Sequence, residues 1–140
     1  MIVVDSIIHG QESKEYVDYV EKQNFWAKKK RPFAITVPST ISLLQGIVRY
    51  ASAEAIKISV VGGGHSAHCL QNDCLAVDLS YFSSVYLKKN TITTNTNTVV
   101  VVGGGACSGN IVKVLEEEGD YKAVLGARPG VGLTIIKIFI

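Results

Sequence analysis

The chain has 140 residues, of which 47% are apolar and 19% charged, and its formal net charge is +2. That length supports one domain with a hydrophobic core, and the composition excludes a disordered chain. The one basic run, Lys28 to Arg31, lacks the broad field of bases interleaved with aromatics that nucleic acid demands, so no nucleic-acid partner is expected.

Three cysteines, Cys69, Cys74 and Cys107, are an odd number and form no complete disulfide framework. Cys69 and Cys74 fit either a local disulfide or two small buried thiols. The run HSAHCLQNDC, 65–74, matches no usual zinc spacing, so no metal site is expected. The opening MIVVDSIIHG is apolar but has no basic start and is broken by Asp5, which argues against a signal peptide. The closing GLTIIKIFI, 132–140, is too short to span a bilayer. It reads as a strand in search of neighbours, so no membrane partner is expected, whereas self-association through an unpaired edge is.

In chain order, Ser13 can cap a helix over 13–29, with Tyr16, Val17 and Val20 on one apolar face and Arg31-Pro32 ending it. Phe33–Val37 reads as a strand stopped by Pro38. Ser39 or Thr40 caps a second helix whose Ile41, Leu44, Val48 and Ala51, with Ile47 beside them, form a buried stripe. Lys57–Val61 is again a strand, so 33–61 spells a βαβ unit with parallel strands. A third strand follows at Cys74–Ser80 and another near Ser84–Leu87. Threonine-rich alternation then predicts a hairpin with strands near 91–94 and 98–102. Ser108 can cap a helix through Ile111, Val112, Leu115 and Glu118, closed by Gly119, and Ala123–Leu125 reads as a short strand. The predicted class is α+β. A small parallel βαβ lobe is followed by an incomplete, mainly antiparallel α+β lobe.

Two VVGGG words occur, at 60–64 and 101–105, but only the first continues into a histidine, His65. A strand ending in three glycines exposes successive backbone N–H groups with no Cβ in the way, a nest suited to a pyrophosphate. The dinucleotide fingerprint and the phosphate-loop pattern are both absent: GGGHSAHC has no third spaced glycine, and no GK[ST] follows. On local evidence the triplet is also compatible with a purely structural loop. His65 is open to four readings: base, metal ligand, flavin attachment point or satisfied loop histidine. Ser66, His68 and Asp78 read as loop-bonding groups, Asp78 fixing a turn or orienting a donor. A hydrolase built on Ser66 or Cys69 with His65 or His68 lacks a nucleophile elbow and a third group.

Several segments in order resemble one family. SKEYVDYVEKQNFW, 13–26, resembles the helix preceding a flavin domain. The stretch 31–69 resembles the first flavin-binding lobe, and LAVDLSYFSSVYL with the later VVVGGGACSGNIVKVLEEEG resembles its continuation. Together they resemble the start of the PCMH-type FAD-binding domain of vanillyl-alcohol-oxidase-type oxidoreductases, nearest to the berberine-bridge-like branch.

The resemblance implies that Gly62, Gly63, Gly64, His65 and Ser66 wrap the FAD pyrophosphate, with His65 at the position where many members bond the flavin 8α-methyl group. Gly126, Pro129, Gly130, Val131 and Gly132 would line the cofactor from the other side. Arg128 stands where some members carry a second attaching cysteine, so no cysteine link is expected. The implied activity is hydride transfer from an alcohol, sugar or alkaloid-like small-molecule substrate to FAD and then dioxygen. The implied domains are an N-terminal extension and helix, 1–31, and a partial FAD-binding domain, 32–140, whose lobes divide at 80/81. Members continue well past GVGG, so the catalytic base falls outside the resemblance and a truncated member is expected. A non-catalytic remnant or partner-binding module is the alternative. With no export signal a cytoplasmic location is the default, although relatives are often secreted.

Overall fold

The computed structural model describes residues 7–90, 97–119, 121–126 and 128–132. The elements are β1 (Ile7–Gly10), α1 (Lys14–Glu21), β2 (Ala34–Val37), α2 (Ile41–Ala53), β3 (Ile58–Val61), β4 (Leu75–Asp78), β5 (Val85–Asn90), β6 (Asn97–Val102) and α3 (Ser108–Glu118). Short 3-10 turns lie at Ala27–Lys29 and Ser80–Phe82. The predicted α+β class is correct, with one small mostly parallel sheet and one antiparallel pair.

The first sheet has the order β1-β2-β4-β3. β2 and β3 are parallel, as the βαβ pattern predicts, but they are not neighbours. β4 lies between them, with Ala34 beside Leu75 on one side and Ile58 beside Leu75 on the other. Its burial matches that central place: Ala76, Val77 and Asp78 are all buried, as in a strand covered on both faces. β1, not among the predicted strands, pairs antiparallel with β2, Ile7 opposite Val37. β3 is left at the edge.

One core lies beneath this sheet and joins Tyr16, Val20, Ala27, Ile35, Val61, Cys69, Leu70 and Ala76. Ser13 caps α1 as expected, its Oγ accepting from Tyr16 N at 3.1 Å. The helix stops at Glu21, however, not at residue 29. Asn24 ends it by directing its polar groups into tertiary and turn bonds instead of the helical ladder. Val17 is 52% exposed, so the buried face of α1 is Tyr16 and Val20 alone.

Thr40 caps α2 through a 3.2 Å bond from Leu43 N. The expected buried stripe of α2 is largely open: Ala51 is buried, Leu44 and Ile47 are half-buried, and Ile41 is 65% exposed. Among the described residues no element packs closely over that stripe. Leu43, Ile47 and Tyr50 instead wall an apolar cleft of about 530 Å³ against Ala34, Thr36 and Leu75.

The second sheet is the β5-β6 hairpin, with Val85 opposite Val102 and Asn90 opposite Asn97. The predicted strand near Ser84–Leu87 is therefore the first hairpin arm, and the arm predicted at 91–94 lies outside the described residues. Ile111 and Leu115 of α3 bury against this hairpin, with Tyr121, Ala123 and Leu125 packed beside them. Ala123–Leu125 forms no strand. The N-cap of α3 is Cys107, not Ser108, whose hydroxyl serves the neighbouring loop. The closing segment 133–140, predicted as a strand, lies outside the described residues.

Candidate functional site

The first glycine triplet leaves β3 at the sheet edge and runs into His65 and Ser66. Its carbonyls turn toward the protein body: Asn24 N donates to Gly64 O at 3.0 Å, and Asn24 Nδ2 donates to His65 O at 3.0 Å. Ser66 O accepts from Cys69 N at 3.3 Å. A trans peptide holds its N–H opposite its C=O. The amides of His65 and Ser66, which follow the Gly64 and His65 carbonyls, therefore point away from Asn24. Among the described residues, none of the backbone amides from Gly63 to Ser66 donates to an acceptor in the chain. Gly64 makes the turn at φ +69°, a conformation that suits glycine.

A second pair of polar contacts ties α1 to β4. Tyr19 Oη donates to Asp78 Oδ2, and Asp78 Oδ1 accepts from Ser80 N at 2.7 Å. Burial, with Asp78 beside it, pushes the Tyr19 phenol well above its ordinary range. Asp78 thus fixes a turn and orients a donor, as its setting in the sequence implied, and it ties the end of α1 to the end of β4.

The second glycine segment meets the first. A Cβ added at Gly63 would fall on the carbonyl oxygen of Gly130, 2.5 Å from Gly132 N and 3.1 Å from Cys107 Sγ. One added at Gly130 would lie 2.6 Å from His65 Nε2. At Gly63 the contact is backbone against backbone, so only glycine permits that approach, whereas at Gly130 it is the movable end of the His65 side chain. The start of α3 holds the segment there. Ser108 N donates to Val131 O at 3.0 Å, Gly109 N to Pro129 O at 2.8 Å, and Ser108 Oγ reaches the carbonyls of Arg128 and Val131. These amides of the helix N-terminus are thereby already in use.

The result is a cleft of about 590 Å³ lined by Val60, Gly62 to Ser66, His68, Cys69, Val131 and Gly132. The structure brings Gly62, Gly63, Gly64, His65 and Ser66 together with Gly130, Val131 and Gly132. Pro129 faces Gly109, and Gly126 opens on a separate hollow beside α3. Asn24, Cys107 and Ser108 belong to the arrangement and were not picked out from the sequence. Asn24 carried no signal in the sequence, where it fell inside the helix expected over 13–29. Gly62 to Gly64 put no side chain into the cleft, and the amides of Gly63 to Ser66 have no acceptor among the described residues, so the loop fits a pyrophosphate. Cys69 and Cys74 are buried free thiols, Cys107 is a half-buried one, and burial raises Cys69 and Cys107. Among the described residues no cluster could hold a metal ion, and no helix is long and apolar enough to cross a membrane.

The second triplet has a different setting. Gly103 N donates to Ser84 O at 2.8 Å and Gly105 N to Phe82 O at 3.1 Å. A Cβ on Gly103 or Gly105 would fall on the carbonyl oxygen of Phe82 or Leu79. This triplet is a packing surface for the 79–84 turn.

A two-lobed α+β arrangement with an amide-lined glycine loop at the end of a parallel strand defines a nucleotide-cofactor domain. The chain belongs to the FAD binding domain family, whose model matches residues 32–133. Its fold is similar to that of Physcomitrella patens BBE-like 1, at 24% identity and TM-score 0.75, covering 92% of this chain and 27% of that one. It is also similar to 6-hydroxy-D-nicotine oxidase from Arthrobacter nicotinovorans, at 25% identity and TM-score 0.73, covering 91% and 27%. A third similarity is to xylooligosaccharide oxidase from Myceliophthora thermophila, at 27% identity and TM-score 0.69, covering 91% and 26%. The chain thus spans about a quarter of the length of these solved proteins. No curated protein sequence matches it.

Proposed function

We propose that this chain binds FAD in the cleft between the 62–66 loop and the 130–132 segment, as part of a flavin-dependent oxidase. The observation that carries the reading is the row of amides from Gly63 to Ser66, with no acceptor among the described residues, on a run of glycines beside His65. Those amides would hold the pyrophosphate, and Gly130 to Gly132 would close over it. When bound, the flavin supplies the hydride-accepting ring. His65 is exposed at the cleft, and no group among the described residues bonds its ring nitrogens. It is therefore free to attach the flavin at the 8α-methyl group, whereas Arg128 offers no thiol for a second link.

The substrate class, an alcohol, sugar or alkaloid-like molecule, follows from the resemblance. Structural relatives whose names include a nicotine-derivative oxidase and a xylooligosaccharide oxidase are consistent with it. Because the chain spans about a quarter of those proteins, the reading assigns cofactor binding to these residues and leaves turnover to the whole enzyme. A chain that holds the lobe's shape without binding FAD is the alternative. The experiment loads the purified chain with FAD, precipitates it in acid and records absorbance. Yellow colour retained by the pellet and lost in His65→Ala is expected. A folded chain that takes up no FAD would overturn the reading.

A further inference from the structure

We propose that Asn24 is a positioning residue for the cofactor loop, although it lies outside the 32–133 family match. The inference rests on the FAD reading above. Asn24 reaches two successive carbonyls of the loop, Gly64 O through its backbone amide and His65 O through Nδ2, both at 3.0 Å. Its Oδ1 accepts from Trp26 N at 2.9 Å, and its own carbonyl accepts from Lys28 N at 2.8 Å, so all four of its polar groups are engaged. Fixing a carbonyl fixes the N–H of the same peptide plane on the opposite side. Asn24 therefore aims the amides of His65 and Ser66 into the cleft, where a pyrophosphate would accept from them. The side-chain bond to His65 O sets the Ser66 amide. The backbone bond to Gly64 O sets the His65 amide and survives substitution.

The consequence is a separable effect on the phosphate end of the cofactor. Losing the Nδ2 bond lets the 65–66 peptide rotate, which weakens a pyrophosphate contact and leaves contacts to the isoalloxazine ring alone. A residue that only supported the fold would weaken every ligand alike.

The test uses the full chain and compares FAD with riboflavin, which has the same ring and no pyrophosphate, by flavin fluorescence titration. Inorganic pyrophosphate is followed separately through the amide resonances of His65 and Ser66. Asn24→Leu keeps the size and removes the side-chain bonds. Asn24→Asp keeps the acceptor for Trp26 N, which guards against a variant that fails to fold, but it adds a negative charge, so its loss of FAD affinity counts only where uncharged Asn24→Leu shows the same loss. In both variants FAD affinity should fall about fivefold to tenfold, the value of one hydrogen bond, with riboflavin affinity unchanged. Pyrophosphate should cease to shift the Ser66 amide. Equal weakening of FAD and riboflavin, or FAD affinity within about twofold of wild type, overturns the role of Asn24 while the FAD reading stands. A wild-type chain that binds neither FAD nor pyrophosphate overturns the FAD reading and this inference with it.

Discussion

Gly63→Ala probes the contact on which the cleft depends. The new methyl group would fall on the carbonyl oxygen of Gly130 and 2.5 Å from Gly132 N, whereas ordinary contact begins near 3.4 Å. The 130–132 backbone must retreat by about 1 Å, an overpacking that costs ~1–3 kcal/mol. The retreat is resisted by the bonds of Ser108 and Gly109 to the 128–131 carbonyls, each worth ~1 kcal/mol net. The steric cost is thus matched by about two or three of these bonds. Neither sheet includes residues 128–132, so the least costly response is for that segment to lift off while both sheets stay folded. Amide hydrogen exchange measured by NMR should show Ser108 and Gly109 losing protection by about tenfold or more, with the circular dichroism spectrum unchanged. FAD affinity should fall by about the same factor. Gly126→Ala is the control, since a Cβ there meets nothing within 4 Å, and it should be silent in both assays. Unchanged protection at Ser108 and Gly109 in Gly63→Ala would refute the reasoning.

Three other outcomes are expected. Tyr19 titrates above its ordinary 10.0 in the folded chain because it is buried and faces Asp78, so the unfolded chain releases that proton first. Unfolding free energy should therefore decline as pH rises past about 10, by ~1.4 kcal/mol per unit from this group, and urea titrations of Tyr19→Phe should show that much less slope. A thiol reagent at pH 8 should modify half-buried Cys107 slowly and reach Cys69 and Cys74 only in denaturant; fast labelling of all three in the native chain would contradict their placement. Gly105→Ala, whose Cβ would fall on the Leu79 carbonyl, should lower stability by ~1–3 kcal/mol, equally with and without FAD.

Local periodicity and capping chemistry carried much of the fold. Ser13 and Thr40 cap their helices because a hydroxyl just before an apolar run has an orphan amide to satisfy, and that is visible in four consecutive letters. The ordered resemblance carried the family. Long-range pairing was not legible. Nothing local distinguishes β4 as the central strand, and the partner of β6 is β5 across an intervening threonine-rich run. The shortfall of α1 has the same origin, because Asn24 leaves the helix for carbonyls about 40 residues away along the chain. In the site, Gly62 to Ser66 stood out because a strand ending in three glycines exposes its amides and because the resemblance placed them at the cofactor. Asn24 and Ser108 did not, because an asparagine after a helix and a serine before one usually serve only the helix they adjoin.

The twin triplets bear on how mutational data for this protein should be read. A scan scored by abundance or solubility would find Gly63 about as intolerant as Gly103 and Gly105, because a methyl group meets backbone at all three. Intolerance alone would then promote the second triplet to a ligand site it does not form, or demote the first to mere scaffolding. Only a selection that varies flavin supply separates the two. Scarcity of the cofactor should sharpen the penalty at the first triplet and leave the second untouched.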